Sequence, residues 1–254
     1  ALFNDVRFRQ ACNYAMNRQE INDNVFLGFA KLPDNIQDSE YSPEKANALL
    51  DEIGMTERDS NGFRLSPDGQ EVRILIEYPA AGQMYGLKQA TELFAAQLQE
   101  VGINAEPRAT DDAVLSERAV SKDVQIGAWE TYINATDRDA LFTVTPGWIE
   151  WCPDWSWWEG NPTGTERPAD MPDEFVAYVQ AVQDRIQYVP RVPEDAALYE
   201  NLLSIYKDYF WAIVTVTNVP TTRIISHRLG NIARAGATTS SGYCRGFEVV
   251  YIKQ

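Results

Sequence analysis

The sequence predicts an α/β fold, a mixed and partly parallel sheet flanked by helices, with a long Trp-rich loop. Three observations carry this expectation. Val72, Ile74, Ile76 and Tyr78 alternate as a strand does, and Met84, Leu87, Ala90, Phe94, Leu98 and Val101 then recur at helical spacing. A second short strand reads from Ile103 to Pro107, directly after Gly102. Strand, helix and strand in that order favour parallel pairing through a helical crossover, and the helical stripes on either side supply the outer layers.

The first helix presents Phe8, Ala11, Cys12, Ala15 and Met16 on one face. Asn17, three residues before Glu20, reads as a capping box in which the Asn accepts from a first-turn amide and Glu20 reaches back. Ile21, Val25 and Phe26 form the stripe of the second helix, which Gly28 can close with a positive φ. Ser42 and Pro43 open a third helix, lined by Ala46, Leu49, Leu50 and Ile53 and ended by Gly54. Residues 56–70, with Asn61-Gly62 and Asp68-Gly69, read as a hairpin or loop. The run from Asp59 to Gly62 resembles part of a calcium loop, but the later ligands and closing Glu are missing, so a turn is expected.

Strands are expected over 71–78, 103–107 and 124–129, with a helix ending at Gly102 between the first two. Residues 130–172 lack any sustained period. A loop of that length inside a domain is functional or disordered, and its aromatic content argues against disorder. Two helices follow, one striped by Phe175, Val179, Val182 and Ile186, the other by Leu198, Leu202, Ile205, Tyr206 and Tyr209. Residues 211–217 read as a β-branched strand, with 221–226 as its continuation or partner, and 247–252 read as a last strand.

Composition narrows the function. The chain has 254 residues, 44% of them apolar, and contains no apolar run near the length of a bilayer span. A formal charge of −15 disfavours nucleic acid as a partner. Cys12 sits on an apolar helix face and reads as a small buried hydrophobe. A Cys152–Cys244 bridge stays open, because sequence does not set its geometry. The lone His227 lacks the companions of a metal site, and no nucleophile elbow or phosphate-cradling glycine motif is present. No metal, cofactor or catalytic residue is therefore assigned.

Five of the seven tryptophans, Trp148, Trp151, Trp155, Trp157 and Trp158, fall within eleven residues. Trp offers a rigid apolar face and an N–H handle, suited to stacking on a sugar ring or gripping a peptide. Trp129 ends a predicted strand, and in open α/β sheets ligands gather beyond the carboxyl ends of strands. Most of the clustered Trp residues are expected to pack the loop, with one to three reaching a ligand. Carboxylates crowd the same region (Glu130, Asp137, Asp139, Glu150, Asp154 and Glu159), as they would around any loop of so acidic a chain.

The run from Asp5 to Ile21, D-V-R-x-R-Q-A-x-x-Y-A-x-x-R-x-x-I, resembles the segment opening the C-terminal lobe of family 5 extracellular solute-binding proteins. This is the oligopeptide, dipeptide and nickel class that serves ABC importers. Tyr41-Ser42-Pro43-Glu44-Lys45-Ala46 with Leu49, Leu50 and Gly54 resembles the next helix, and Leu98 with Val101-Gly102-Ile103 a later helix end. The family usually has Asp where this chain has Asn17, and both residues cap helices.

This resemblance implies a periplasmic-binding-protein-like lobe over residues 1–226, with 227–254 as a return segment packing on an N-terminal lobe outside this chain. It implies a non-enzymatic protein at the periplasmic or extracellular face of the cytoplasmic membrane, partnered by a small solute and an ABC permease. Trp129, Glu130, Tyr132, Trp148, Trp151 and Trp155 are the expected solute contacts, the Trp residues stacking and Glu130 and Tyr132 anchoring. Peptide-binding members hold the ligand's amino group with an Asp shortly after the strand's Trp. Here the sequence reads Trp129-Glu130-Thr131-Tyr132, and the Trp-rich segment resembles a branch that includes oligosaccharide binders. Two other classes remain, a carbohydrate hydrolase with paired carboxylates and a stand-alone carbohydrate-binding module.

Overall fold

The computed structural model describes residues 2–34, 37–81, 85–129, 166–169, 171–186, 188, 193–209, 212–219, 229–230 and 251–252. A short 3₁₀ turn, Leu2–Asn4, leads into α1 (Val6–Ala15), α2 (Arg18–Val25) and α3 (Pro43–Glu52). The α/β unit follows as β1 (Arg73–Pro79), α4 (Leu87–Glu100), β2 (Asn104–Thr110), α5 (Asp112–Val120) and β3 (Ile126–Gly127). A helical hairpin of α6 (Asp173–Ile186) and α7 (Pro193–Tyr209) comes next, and β4 (Leu229–Gly230) pairs antiparallel with β5 (Tyr251–Ile252).

The main sheet has the order β2-β1-β3 and both pairings are parallel, as the strand–helix–strand pattern requires. Register runs from Arg73 opposite Asn104 to Pro79 opposite Thr110. The predicted helix faces are the observed core. Phe8, Ala11, Ile21, Ala46, Leu50 and Leu98 are fully inaccessible and meet Ile74, Ile76 and Ala105 of the sheet. Burying the Phe, Leu and Ile side chains among them stabilises the fold by about 1.5–3 kcal/mol each.

The caps follow the sequence with one correction. Asn17 accepts from the Glu20 amide at 3.1 Å, as expected of its cap position. Glu20 does not reach back to the Asn17 amide. Instead Gln97 of α4 stands between them, accepting from the Asn17 N–H at 3.0 Å and donating to Glu20 Oε2 at 2.9 Å. A residue 80 positions away thus completes the box and ties α4 to the start of α2. Ser42 caps α3 with Pro43 in its first turn. Asp59 accepts from the Asn61 and Phe63 amides through Oδ1, so the calcium-like run is an Asx turn.

Further corrections concern strands. β2 extends to Thr110 rather than stopping at 107, while β3 is only two residues long within the expected 124–129. Residues 212–217 form no regular strand; Thr217 makes a single antiparallel bridge to Lys31, with N···O distances of 2.8 and 2.7 Å. Helix α5 had no counterpart among the sequence expectations. The expected stripe residues Val182 and Ile186, the loop tryptophans, residues 221–226, His227, Cys152 and Cys244 lie outside the described side chains.

Two arginines close the fold, Arg18 buried and Arg9 half-buried. Arg18 donates from Nε to the Val214 carbonyl at 2.8 Å and from Nη2 to Asn13 Oδ1 at 2.6 Å. Gln37 adds a two-way amide pair to Val214, donating to its carbonyl and accepting from its N–H. Burial lowers the Arg18 guanidinium to about 10. Arg9 donates from Nε and Nη2 to the carbonyl of Tyr209, the last residue of α7, at 2.9 and 2.6 Å, a cationic cap on that helix end.

Candidate functional site

Because β1, β2 and β3 run parallel, their carboxyl ends share one edge, and this edge is stitched together from side chains as well as backbone. β3 is too short to pair far along β1, and Gln125 substitutes for the missing ladder. Its amide accepts from the Leu75 N–H at 2.7 Å and donates to the Arg73 carbonyl at 3.1 Å. Ile126 and Gly127 then pair opposite Ile76 and Glu77, and the Ala128 N–H donates to the Glu77 carbonyl at 2.8 Å. Successive anchors therefore lead directly to Trp129, which projects past the strand end with half its surface (52%) exposed.

Beneath this edge lies a buried charge. Glu77 is fully inaccessible and accepts from Thr110 Oγ1 at 2.9 Å and from Arg118 Nη2 at 2.9 Å. Burial pushes the Glu77 carboxyl up, but hydrogen bonds from Arg118 and Thr110 and the Arg118 charge outweigh it, so it lies below the usual carboxylate range. Arg118 Nη2 also donates to the Asp123 carbonyl at 3.0 Å, just ahead of Gln125. The Ala80 N–H donates to the Thr110 carbonyl at 2.8 Å, closing the β1–β2 side of the edge. Glu77 thus joins β1, β2, α5 and the approach to β3 at one point.

A second aromatic, Tyr85, lies between β1 and α4 and is 71% exposed. Its ring meets Phe26 edge-on at 6.3 Å. Gly86 follows in the left-handed region (φ 78), and a Cβ there would come within 2.6 Å of Val25 Cγ1. A side chain is excluded, which lets the start of α4 close on the end of α2.

Of the predicted contacts, Trp129 is among the described residues and lies two residues past β3, at the carboxyl edge of the sheet. Glu130, Tyr132, Trp148, Trp151 and Trp155 lie outside the described residues. Sequence reasoning passed over Glu77, Arg118 and Tyr85. An acidic residue inside an apolar strand was the available signal for Glu77, and Arg118 and Tyr85 gave none. Among the described residues no group of three His, Cys, Asp or Glu side chains is arranged to hold a metal ion, and no helix is long and apolar enough to cross a membrane.

Comparisons with known proteins converge. A family model described as bacterial extracellular solute-binding proteins, family 5 middle, matches residues 1–147. The chain is 30% identical over 139 residues to heme-binding protein A of Haemophilus influenzae, covering 50% of this chain and 23% of that protein. It is 27% identical over 111 residues to the nickel-binding periplasmic protein of Escherichia coli strain K12, covering 39% of this chain and 21% of that protein. Among solved structures, the oligopeptide-binding protein OppA superposes with a TM-score of 0.69 at 26% identity, over 85% of this chain and 38% of that one. The chain's matches thus span about a fifth of the two curated relatives and about two fifths of OppA. All three are named as binding proteins.

Proposed function

Since this chain belongs to the family 5 bacterial extracellular solute-binding proteins, we propose that it captures a solute for an ABC importer, as the C-terminal lobe of a two-lobe protein. Proteins of this family are periplasmic or extracellular, and that is where the chain works. The observation that carries the solute-binding role is Trp129, half exposed and anchored through Gln125 and Ala128 at the carboxyl edge of a parallel sheet. That edge is where open α/β folds hold ligands.

On this reading Trp129 stacks on a peptide- or oligosaccharide-sized solute, joined by Trp148, Trp151 and Trp155, with Glu130 and Tyr132 as polar anchors. Residues 1–226 form the lobe and 227–254 return toward the partner lobe. The two lobes close on the solute by hinge motion, and the closed form meets the permease. Thr110, Arg118 and Glu77 do no chemistry; their task is to hold the edge rigid.

The test is a calorimetric and thermal-shift screen of the full-length polypeptide. Its panel holds di- to pentapeptides, oligosaccharides, nickel with histidine, and heme. A saturable shift without product, weakened by Trp129→Ala, supports the reading and names the solute class. Conversion of a panel member to product overturns it in favour of a hydrolase.

A further inference from the structure

The end of α2 carries apolar surface that solute capture at Trp129 does not use. Leu27 is 67% exposed and Phe29 is 69% exposed, and Tyr85, 71% exposed, rests against Phe26 of the same turn. The turn itself is well formed. The Gly28 N–H donates to the Asn22 carbonyl and the Phe29 N–H to that of Phe26, both at 3.0 Å. Asn22 locks Ala30 by accepting its N–H and donating to its carbonyl, each at 3.1 Å. Leu27 takes a positive φ of 55° within this turn, so a large apolar side chain is held outward in a backbone region that costs a non-glycine residue stability.

We propose that this turn, Leu27 and Phe29 together with Tyr85, is a docking surface for the part of the same polypeptide that lies outside this chain. The proposal rests on the two-lobe reading above. Three observations single out that occupant. The chain spans 38% of OppA, which leaves most of a family-sized polypeptide to be accommodated. The turn runs straight into Lys31, whose backbone pairs with Thr217, so the patch adjoins the segment that leads into residues 227–254, the proposed return to the other lobe. A second copy is disfavoured by the formal charge of −15 on each chain.

A solute is a poorer occupant. Solute pockets are concave, enclose most of the ligand and bring polar groups together, whereas Leu27, Phe29 and Tyr85 are apolar or aromatic side chains each exposed by two thirds or more.

Hydroxyl-radical footprinting of the full-length, solute-free protein tests the proposal, read by mass spectrometry at two protein concentrations. After normalisation for side-chain type, Leu27, Phe29 and Tyr85 should oxidise about tenfold more slowly than Val120, as at a water-excluding interface. Val120, on α5, is 66% exposed and serves as the uncovered reference. Equal slowing at both concentrations supports docking within one polypeptide. Slowing only at the higher concentration identifies a second copy, and rates matching Val120 identify an open surface; either overturns the proposal. The two-lobe solute reading is judged separately, by the calorimetric screen, so each can fail without the other.

Discussion

Arg118 holds the Glu77 carboxylate at 2.9 Å, yet Glu77 is wholly inaccessible while the Arg118 side chain keeps 29% of its surface. The pair is a buried anion answered by a cation at the boundary with water. Its cost and benefit are therefore unequal for the two partners. Losing Arg118 strands a charge inside the sheet, whereas losing Glu77 leaves a cation that water can reach.

Acid should exploit this asymmetry. The folded-state pKa of Glu77 lies below its ordinary value of 4.5, so its contribution is complete above that value and is lost as pH falls through the lower folded one. Glu77→Gln should cost about 2 kcal/mol at neutral pH and flatten the acid limb of the stability profile. Urea melts of both proteins from pH 7 to pH 3 measure it. Equal acid sensitivity in the two would refute the assignment.

Replacing Arg18 should be more damaging. Arg18→Met removes the donor to the Val214 carbonyl and to Asn13 Oδ1 inside the core, at a cost of about 3 kcal/mol. Gln37 still holds Val214, so the protein should fold with a lowered urea midpoint. An unchanged midpoint would show that the guanidinium contributes nothing net.

Gly86→Ala should destabilise by about 2 kcal/mol, through the positive φ and the crowding against Val25 and Phe26 together. Gly69→Ala is the control. Gly69 has nearly the same φ (77) but open space around the added methyl, so it should lose only the backbone part. Thermal melts of the two variants separate sterics from backbone strain.

Cys12 should be inert in the folded protein. It is buried against the core, and burial pushes its thiol up to about 12, so almost no thiolate exists at neutral pH. Iodoacetamide followed by peptide mapping should leave Cys12 unmodified until denaturant is added. Rapid labelling in native buffer would contradict the packing of α1.

Local rules made much of the framework legible before any coordinates. Asn17, Ser42 and Gly102 mark element ends through their own chemistry, and the stripe from Phe8 to Met16 is buried as its spacing demands. Tertiary substitutions were not legible. Gln97 completes a cap that Glu20 was expected to close, and Gln125 performs ladder pairing that β3 is too short to make. Helix α5 escaped because only Leu115 and Ala119 of its residues are buried, too few for a stripe. Residues 212–217 have strand-like composition, but Val214 is held by the side chains of Arg18 and Gln37, and Thr217 makes a single backbone bridge, to Lys31. At the site the strand-end rule located Trp129, while Tyr85 belongs to a turn whose exposure no pattern encodes.

The link between Arg18 and Val214 spans 196 positions, and that between Arg9 and Tyr209 spans 200. A ribosome adding about 5–20 residues per second needs roughly ten to forty seconds to cover that interval. Through all of it Arg9 can meet the Phe3 carbonyl and Arg18 can meet Asn13, while the donors that later take the Tyr209 and Val214 carbonyls stay hydrated. The amino-terminal helices therefore complete their native bonds only when Tyr209 and Val214 arrive. This region commits to its native state only once its far end arrives, which makes it a slow, late-closing folder and leaves a nascent chain available to chaperones for most of its synthesis.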